Sequence, residues 1–206
     1  MNRLFAIRTA MLGAFALALS ACGINSVPAA EENAKARWAD VQSAYQRRAD
    51  LVPNLVSSVR AAAGSEERIL TQVIEARASA TQTTLDADNL SDPEQFRAYE
   101  QAQGNLGSAL SRLMVVVERY PELQSQQRFA DLMVALEGTE NRIDNARTRY
   151  NQAVQDYNTT IRTFPDTIGA NIIHGAEPME TFQADAAAQG APTVDFGDMD
   201  PGTSGN

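Results

Sequence analysis

One cysteine, one histidine and one tryptophan stand in 206 residues. A single cysteine permits no internal disulfide and no thiolate zinc site. The one histidine, His174, cannot furnish the paired Glu-x-x-His ligands of a di-iron bundle. A Ser-His-Asp triad would need that same His174, and no nucleophile elbow accompanies it. Glycine and proline are sparse until the C-terminal end, no strand pattern is visible, and no glycine-rich phosphate loop follows a strand. Beyond the first 21 residues no stretch approaches the ~20 apolar residues of a membrane-spanning helix. Basic residues are in deficit: 17 against 26 acids. An acidic chain is a poor ligand for nucleic acid or anionic headgroups, so no nucleic-acid partner is expected. No cofactor and no metal site are expected, and no catalytic residue is assigned. Acids are plentiful enough for a carboxylate-based hydrolase, but smooth helical seams offer no cleft for one.

What is present begins with a basic start, Arg3 and Arg8, and the apolar run MLGAFALAL at residues 11–19, the length of a signal-peptide core. Leu19-Ser20-Ala21-Cys22 then resembles a lipobox. That implies a lipoprotein signal over residues 1–21, cleavage before Cys22, and lipidation of Cys22 on its thiol and its new amino group. Two or more acyl chains anchor stably where one does not. Removing the signal leaves 15 bases against 26 acids, a net charge of −11. Gly23 rather than an aspartate follows the cysteine, which leans toward the outer over the inner membrane. Residues 22–30 read as a spacer.

From Glu31 the periodicity is helical. Trp38, Val41, Tyr45, Arg48, Val52, Leu55, Val59 and Ala62 recur in steps of three and four, a heptad seam. Gly64 and Ser65-Glu66-Glu67 mark a helix end and the next start. The second helix places Ile69, Val73, Ala76 and Ala80 on one face, broadened by Leu70 and Ile74, and fades into the polar residues 85–91. Asp92-Pro93 supplies an N-cap and an N1 proline. The third helix carries Phe96, Tyr99, Gln103, Leu106, Leu110, Leu113, Val117 and Tyr120, with Pro121 as its stop. The fourth, residues 125–164, carries Phe129, Met133, Leu136, Glu140, Ile143, Arg147, Tyr150, Val154, Tyr157, Ile161 and Phe164, and Pro165 ends it. The expected fold is all-α, an elongated antiparallel four-helix bundle, with an extended coiled coil and an oligomeric bundle as alternatives. Residues 31–182 form the domain. Residues 183–206 are expected to be a disordered acidic tail, since Glu177 onward holds six acids and no base.

Several pieces together resemble the LemA family of bacterial membrane-associated helical proteins: RRADLVPNLV at 47–56, Glu75-Ala76-Arg77, ERYPEL at 118–123, and ARTRYNQAVQDYNTTIRTFP at 146–165. The Tyr-Asn pairs seven residues apart, followed by Phe-Pro, are the most specific. The resemblance implies a four-helix bundle on the outer side of the cytoplasmic membrane or in the periplasm. It implies no enzymatic activity and an accessory or scaffolding role, linked in some members to membrane proteases or specialised membrane compartments. The lipoprotein-type N-terminus differs from the uncleaved membrane segment common in that family.

Charges in a heptad seam are costly unless paired. Arg48, Glu140, Arg147 and the polar Gln103 are therefore candidates for an internal polar layer, with Glu140 pairing Arg48 or Arg147; the alternative is that these side chains snorkel to water. Pro53 predicts a kink, with Asp50 accepting backbone donors freed at the bend. Arg47, Asp50, Asn151 and Asn158 form a candidate partner or packing face. The functional expectation is a lipid-anchored, non-catalytic envelope module that binds or scaffolds an envelope protein, with homo-oligomerisation open. The alternatives are a self-assembling structural protein and a carboxylate hydrolase.

Overall fold

The computed structural model describes residues 2–62 and 66–183, with side chains from Asn25 onward. Among them are six α-helices and no strand: α1 (Asn2–Ala62), α2 (Glu67–Gln82), α3 (Pro93–Val117), α4 (Pro121–Gln124), α5 (Gln127–Thr160) and α6 (Asp166–Gly169). A 3-10 turn (Ala87–Asn89) joins α2 to α3, and a π-helical turn (Ala170–His174) follows α6. The all-α expectation is met. The Cys22 side chain, the Gly64 cap and the acidic tail beyond Gln183 lie outside the described residues. No described helix is long and apolar enough to cross a membrane.

α1 is the spine. At ~1.5 Å per residue its 61 residues extend roughly 90 Å. α5 packs along it in the opposite sense, since Ser26 meets Asp166 and Arg48 meets Glu140. α2 also runs against α1, with Arg77 reaching Ala49 and Leu85 reaching Trp38. α3 returns along α2, joined through Gln103 to Ala80 at one level and Arg119 to Glu66 at another.

The seams account for the core. Trp38, Val41, Tyr45, Val52, Leu55 and Val59 are buried, as are Phe96, Tyr99, Leu106, Leu110, Leu113 and Val117 on α3. On α5 Phe129, Leu136, Ile143, Tyr150, Val154 and Tyr157 are buried. α3 starts as its sequence dictates: the Asp92 carboxylate accepts from the N–H groups of Glu94 and Gln95, with Pro93 at the first helical position. On α2 only Leu70, Val73 and Ala80 are buried, and Ile74 is exposed.

Four expectations need correction. Residues 25–30 are not a spacer but part of α1: Val27 is fully buried, one heptad before Ala34, and Ala30 packs against the same cluster. Pro28 hides this continuation, because a helical proline costs one hydrogen bond without forbidding the helix where packing compensates. The stretch 85–91 is not merely polar, as Leu85 and Leu90 are both buried. Pro121 does not only stop α3; it is the first residue of α4, after a turn that began at Glu118. Finally, α5 spans Gln127–Thr160 rather than 125–164. Pro165 cannot donate, and it disfavours the helical conformation of the residue before it. The chain therefore leaves the helix a turn early, and Phe164 is exposed.

The core divides into two apolar clusters. One gathers residues 27–45 of α1 with Phe96, Tyr99, and the 143–161 part of α5. At its centre Trp38 touches Phe96, Tyr99, Tyr150 and Phe182 at ring-centroid distances of 6.0, 5.1, 5.3 and 6.1 Å. The other gathers residues 52–59 with α2, the distal part of α3, Leu123, Phe129 and Leu136. Trp38→Ala is expected to cost about 3–5 kcal/mol in guanidinium unfolding, whereas Phe164→Ala, though also an aromatic of the predicted seam, should change stability by less than ~0.5 kcal/mol.

Candidate functional site

Arg48 enters the seam between the two clusters and is 4% exposed. Its Nη2 donates to the Gln103 backbone carbonyl at 2.9 Å and to Gln103 Oε1 at 3.1 Å. Gln103 Nε2 donates onward to the Ala80 carbonyl at 3.0 Å. Nη1 lies 3.5 Å from both Glu140 carboxylate oxygens, and the guanidinium sits over the Tyr45 ring at 5.0 Å. The Glu140 side chain is about half exposed, at 45%, so water screens the ion pair and the short bonds to Gln103 hold the arginine more firmly. Gly107 faces the guanidinium, and a Cβ there would stand 3.5 Å from Nη1, an ordinary van der Waals contact. Arg147 is not in this layer. It bridges to Glu100 at 3.4 Å, donates to the Gln183 carbonyl and stacks on Phe182 at 4.6 Å.

Pro53 is accommodated by a different residue from the one expected. A proline at 53 leaves the carbonyl of residue 49 without its helical donor. Arg77 Nε, from α2, donates to that Ala49 carbonyl at 2.8 Å. The group orphaned by the proline is an acceptor, which a carboxylate cannot satisfy. Asp50 instead accepts from Gln46 Nε2 at 2.8 Å on the surface. Thus RRADLVPNLV and Glu75-Ala76-Arg77 meet across the α1–α2 contact.

The Tyr-Asn repeat of α5 grips the chain's own C-terminal segment. Asn158 pairs through both amide atoms with the backbone of Met179, donating to its carbonyl and accepting from its N–H, each at 2.9 Å. Asn151 does the same to Phe182 at 2.8 and 2.9 Å. Tyr157 Oη donates to the Glu177 carbonyl at 3.1 Å and Tyr150 Oη to that of Glu180 at 2.9 Å. The spacing has a geometric reason. Seven residues of α-helix rise ~10.5 Å, and three residues of extended chain cover ~10 Å. A heptad of Tyr-Asn pairs therefore reads an extended strap once every three residues, with the strap running opposite to α5. Gly175, with φ at +57°, turns the chain out of the π-helical turn into this strap, and the Ala176 N–H donates back to the Ala170 carbonyl. The strap bonds are to backbone, so they are blind to sequence; Met179 and Phe182, both buried, set the register. Neither residue was marked by periodicity, because both lie outside any helix. The Tyr-Asn spacing was the only signal pointing to them.

Arg47 and Asp50 face outward from the same turn that sends Arg48 inward. They line an open groove between α1 and α5, about 700 Å³ in volume, with Gln46, Leu51, Val134, Gly138 and Arg142. A Cβ on Gly138 would meet nothing within 4 Å, so the floor is wide. Neither Arg47 nor Arg142 has an acidic partner among the described residues. Asn151 and Asn158 are not part of this groove. They border a second one of about 590 Å³ beside the strap, with Thr159, Arg162 and Thr181. His174 ends the π-helical turn and lines a small cavity of about 170 Å³ with Glu31, Lys35, Asp88 and Glu177. The bonds that the Lys35 ammonium donates to Asp88 and then to Glu31 hold it well above its usual range. Among the described residues no three His, Cys, Asp or Glu side chains gather closely enough to hold a metal ion.

Two expected outcomes test this geometry. Arg77→Met should cost about 1.5–3 kcal/mol, the value of a hydrogen bond from a charged donor to a group that is otherwise orphaned. In a Pro53→Ala background, where the Ala49 carbonyl regains its helical donor, that cost should fall by more than half in a double-mutant unfolding cycle. The second concerns alkali. Burial, then the Glu180 charge, pushes the Tyr150 phenol well above its ordinary range, burial does the same to Tyr99, and burial also raises Tyr45 and Tyr157. These folded-state values exceed the unfolded one, near 10. The stability they support is complete below about pH 10 and is lost as the pH rises through the folded values. Urea midpoints should hold steady to about pH 9 and fall above 10, and Tyr150→Phe should make that fall shallower.

Residues 37–196 match the model of the LemA family. Over 175 residues the chain is 30% identical to Magnetosome protein MamQ 2 and to Magnetosome protein MamQ 1 of Paramagnetospirillum magneticum (strain AMB-1), covering 77% of this chain and 64% of each relative. It is 29% identical over 150 residues to Magnetosome protein MamQ of Magnetospirillum gryphiswaldense (strain MSR-1), covering 65% of this chain and 55% of that relative. The chain thus spans less than two thirds of the length of these curated relatives.

Proposed function

Because the chain belongs to the LemA family, we propose that it is a membrane-associated envelope protein whose helical body holds a partner protein and performs no catalysis. The observation that carries this reading is the α1–α5 groove. Its lining combines small and apolar groups, Leu51, Val134, Ala135 and Gly138, with the polar Ser43, Gln46 and Thr139 and the cations Arg47 and Arg142. Arginines beside apolar side chains are enriched where proteins meet. A straight groove between two helices suits an amphipathic helix laid along it, apolar face down and acidic residues outward. No set of carboxylates converges in the groove, where Asp50 is the one acid.

Membrane association is supported by the family and by relatives whose names place them with the magnetosome. The attachment we propose is lipid on Cys22, on the periplasmic face, with the outer membrane favoured by Gly23. α1 then carries the groove outward: Arg47 lies 25 residues beyond Cys22, roughly 38 Å along the helix.

The test is in-cell cross-linking of the tagged protein, followed by mass spectrometry. A small set of envelope proteins should be recovered, lost in Cys22→Ser and reduced at least tenfold in Arg47→Glu/Arg142→Glu, whose helicity and unfolding midpoint should stay unchanged because both side chains face water. Recovery unaffected by the double reversal would exclude the groove. Recovery of this chain alone would favour self-assembly.

A further inference from the structure

Seven large apolar side chains are exposed among the described residues, and four fall within ten positions: Phe164 (71%), Ile168 (48%), Ile172 (79%) and Ile173 (57%). The other three, Ile74, Val115 and Val134, stand singly on α2, α3 and α5. Residues 167–173 carry no charge, in a chain where 21% of residues are charged. Scattered exposed apolar side chains need no explanation, but a contiguous group does.

The position of the group identifies what covers it. α6 and the π-helical turn lie against α1: Ala170 is buried in the cluster that contains Val27 and Ala34, and Ser26 Oγ donates to Asp166 Oδ1 at 2.7 Å. Ser26 is four residues from Cys22 and seven from the end of the apolar run at residues 11–19. Along a continuous helix these separations are roughly 6 and 10 Å. Whether the chain is held by lipid on Cys22 or by its N-terminal apolar run, the group sits within two helical turns of the bilayer. A segment with an apolar outer face enters the headgroup and acyl boundary to a depth of ~5–10 Å, and one this near the anchor is within reach of that boundary. The net charge of −9 argues against electrostatic attraction to anionic lipid as the cause.

We infer that Phe164, Ile168, Ile172 and Ile173 form a second membrane contact, inserted in the bilayer interface beside the anchor. The inference rests on the membrane attachment proposed above. One anchor on a single chain leaves the body free to tilt, whereas two contacts on one rigid end fix its angle. The α1–α5 groove is then held at a set height: Arg47 is 21 residues beyond Ser26, roughly 32 Å along α1. In sequence the group is bracketed by Arg162 and His174.

The test uses the full lipidated chain reconstituted in vesicles of phosphatidylethanolamine and phosphatidylglycerol. With the Cys22 sulfur occupied by lipid, Ile172→Cys introduces the only free thiol, and Val134→Cys provides a second protein with a similarly exposed reference site on α5. Each is labelled with an environment-sensitive fluorophore. The expected result is flotation of both, with the label at 172 blue-shifted and quenched by lipids bearing a nitroxide near the headgroup, and the label at 134 unaffected. Ile173→Asp combined with Ile168→Asp should abolish that quenching without abolishing flotation. If the protein floats and the two labels behave alike, the second contact is wrong and the anchor stands. If the protein does not float, the attachment fails and the contact with it. Quenching at 172 by labelled copies of the chain, with no response to nitroxide lipid, would overturn the inference in favour of a face between protein copies.

Discussion

A buried guanidinium organises this molecule. Arg48 sits where an a/d residue should be apolar, and each helix facing it changes character at that level. On α1 the aromatic cluster ends at Tyr45 and the aliphatic one begins at Val52. On α3 the break falls at Gln103, between Tyr99 and Leu106, and on α5 at Glu140, between Leu136 and Ile143. An arginine in a seam needs acceptors at its own height: the alignment of α1 with α3 brings the Gln103 carbonyl and Oε1 to Arg48, and that of α3 with α2 brings the Ala80 carbonyl to Gln103 Nε2. Sliding any helix by a heptad would keep apolar against apolar and still bury the charge without partners, at several kcal/mol. The layer thereby selects a register that the apolar pattern alone would leave degenerate.

The same turn of α1 serves both surfaces. Arg48 points inward, while Arg47 and Asp50 line the groove toward α5. One turn later Pro53 removes a donor, and Arg77 supplies one from α2. The proline thus converts a backbone carbonyl of α1 into an acceptor for a neighbouring helix, which a regular helix does not offer. Register between α1 and α2 is set twice, by Arg77 on Ala49 and by Trp38 Nε1 on the Leu85 carbonyl at 3.1 Å. Two bonds at separate heights leave α1 and α2 a single relative position along their axes.

Helices were legible wherever the three-four alternation was unbroken, and so was most of the core, because burial and periodicity are the same information on a helix. The errors share a cause. Val27 was hidden by Pro28, Leu85 and Leu90 by their polar neighbours, and the strap by having no period of its own. The polar layer was legible as a set of misplaced charges, but Arg147 belonged elsewhere: one heptad above Glu140, it faces α3 and Phe182 rather than Arg48. Seam position places a residue on a face and leaves its partner undetermined. Only the α1 side of the groove, Arg47 and Asp50, was legible, since Arg142 and Val134 come from α5 and meet it through tertiary packing.

The strap closes the argument about α5. Its asparagines bond to main chain, so they hold any extended segment whose carbonyls and N–H groups fall ~10 Å apart every three residues. Specificity must come from the apolar side chains between them, and here Phe182 supplies it, stacked on Trp38, tilted against Phe96 and edge-on to Tyr150, with ring centroids 5.0–6.1 Å apart. The strap is therefore part of the core, not a cover over it. Withdrawing it would expose Trp38 and Tyr150 and leave Asn151 and Asn158 without their pairs. This couples the segment that carries the exposed isoleucines to the aromatic cluster: Ile172 and Ile173 hang from a π-helical turn pinned on one side by Ser26 and Ala170, and on the other by Met179. That turn is therefore tied to the aromatic cluster through two short connections and is not a loose end.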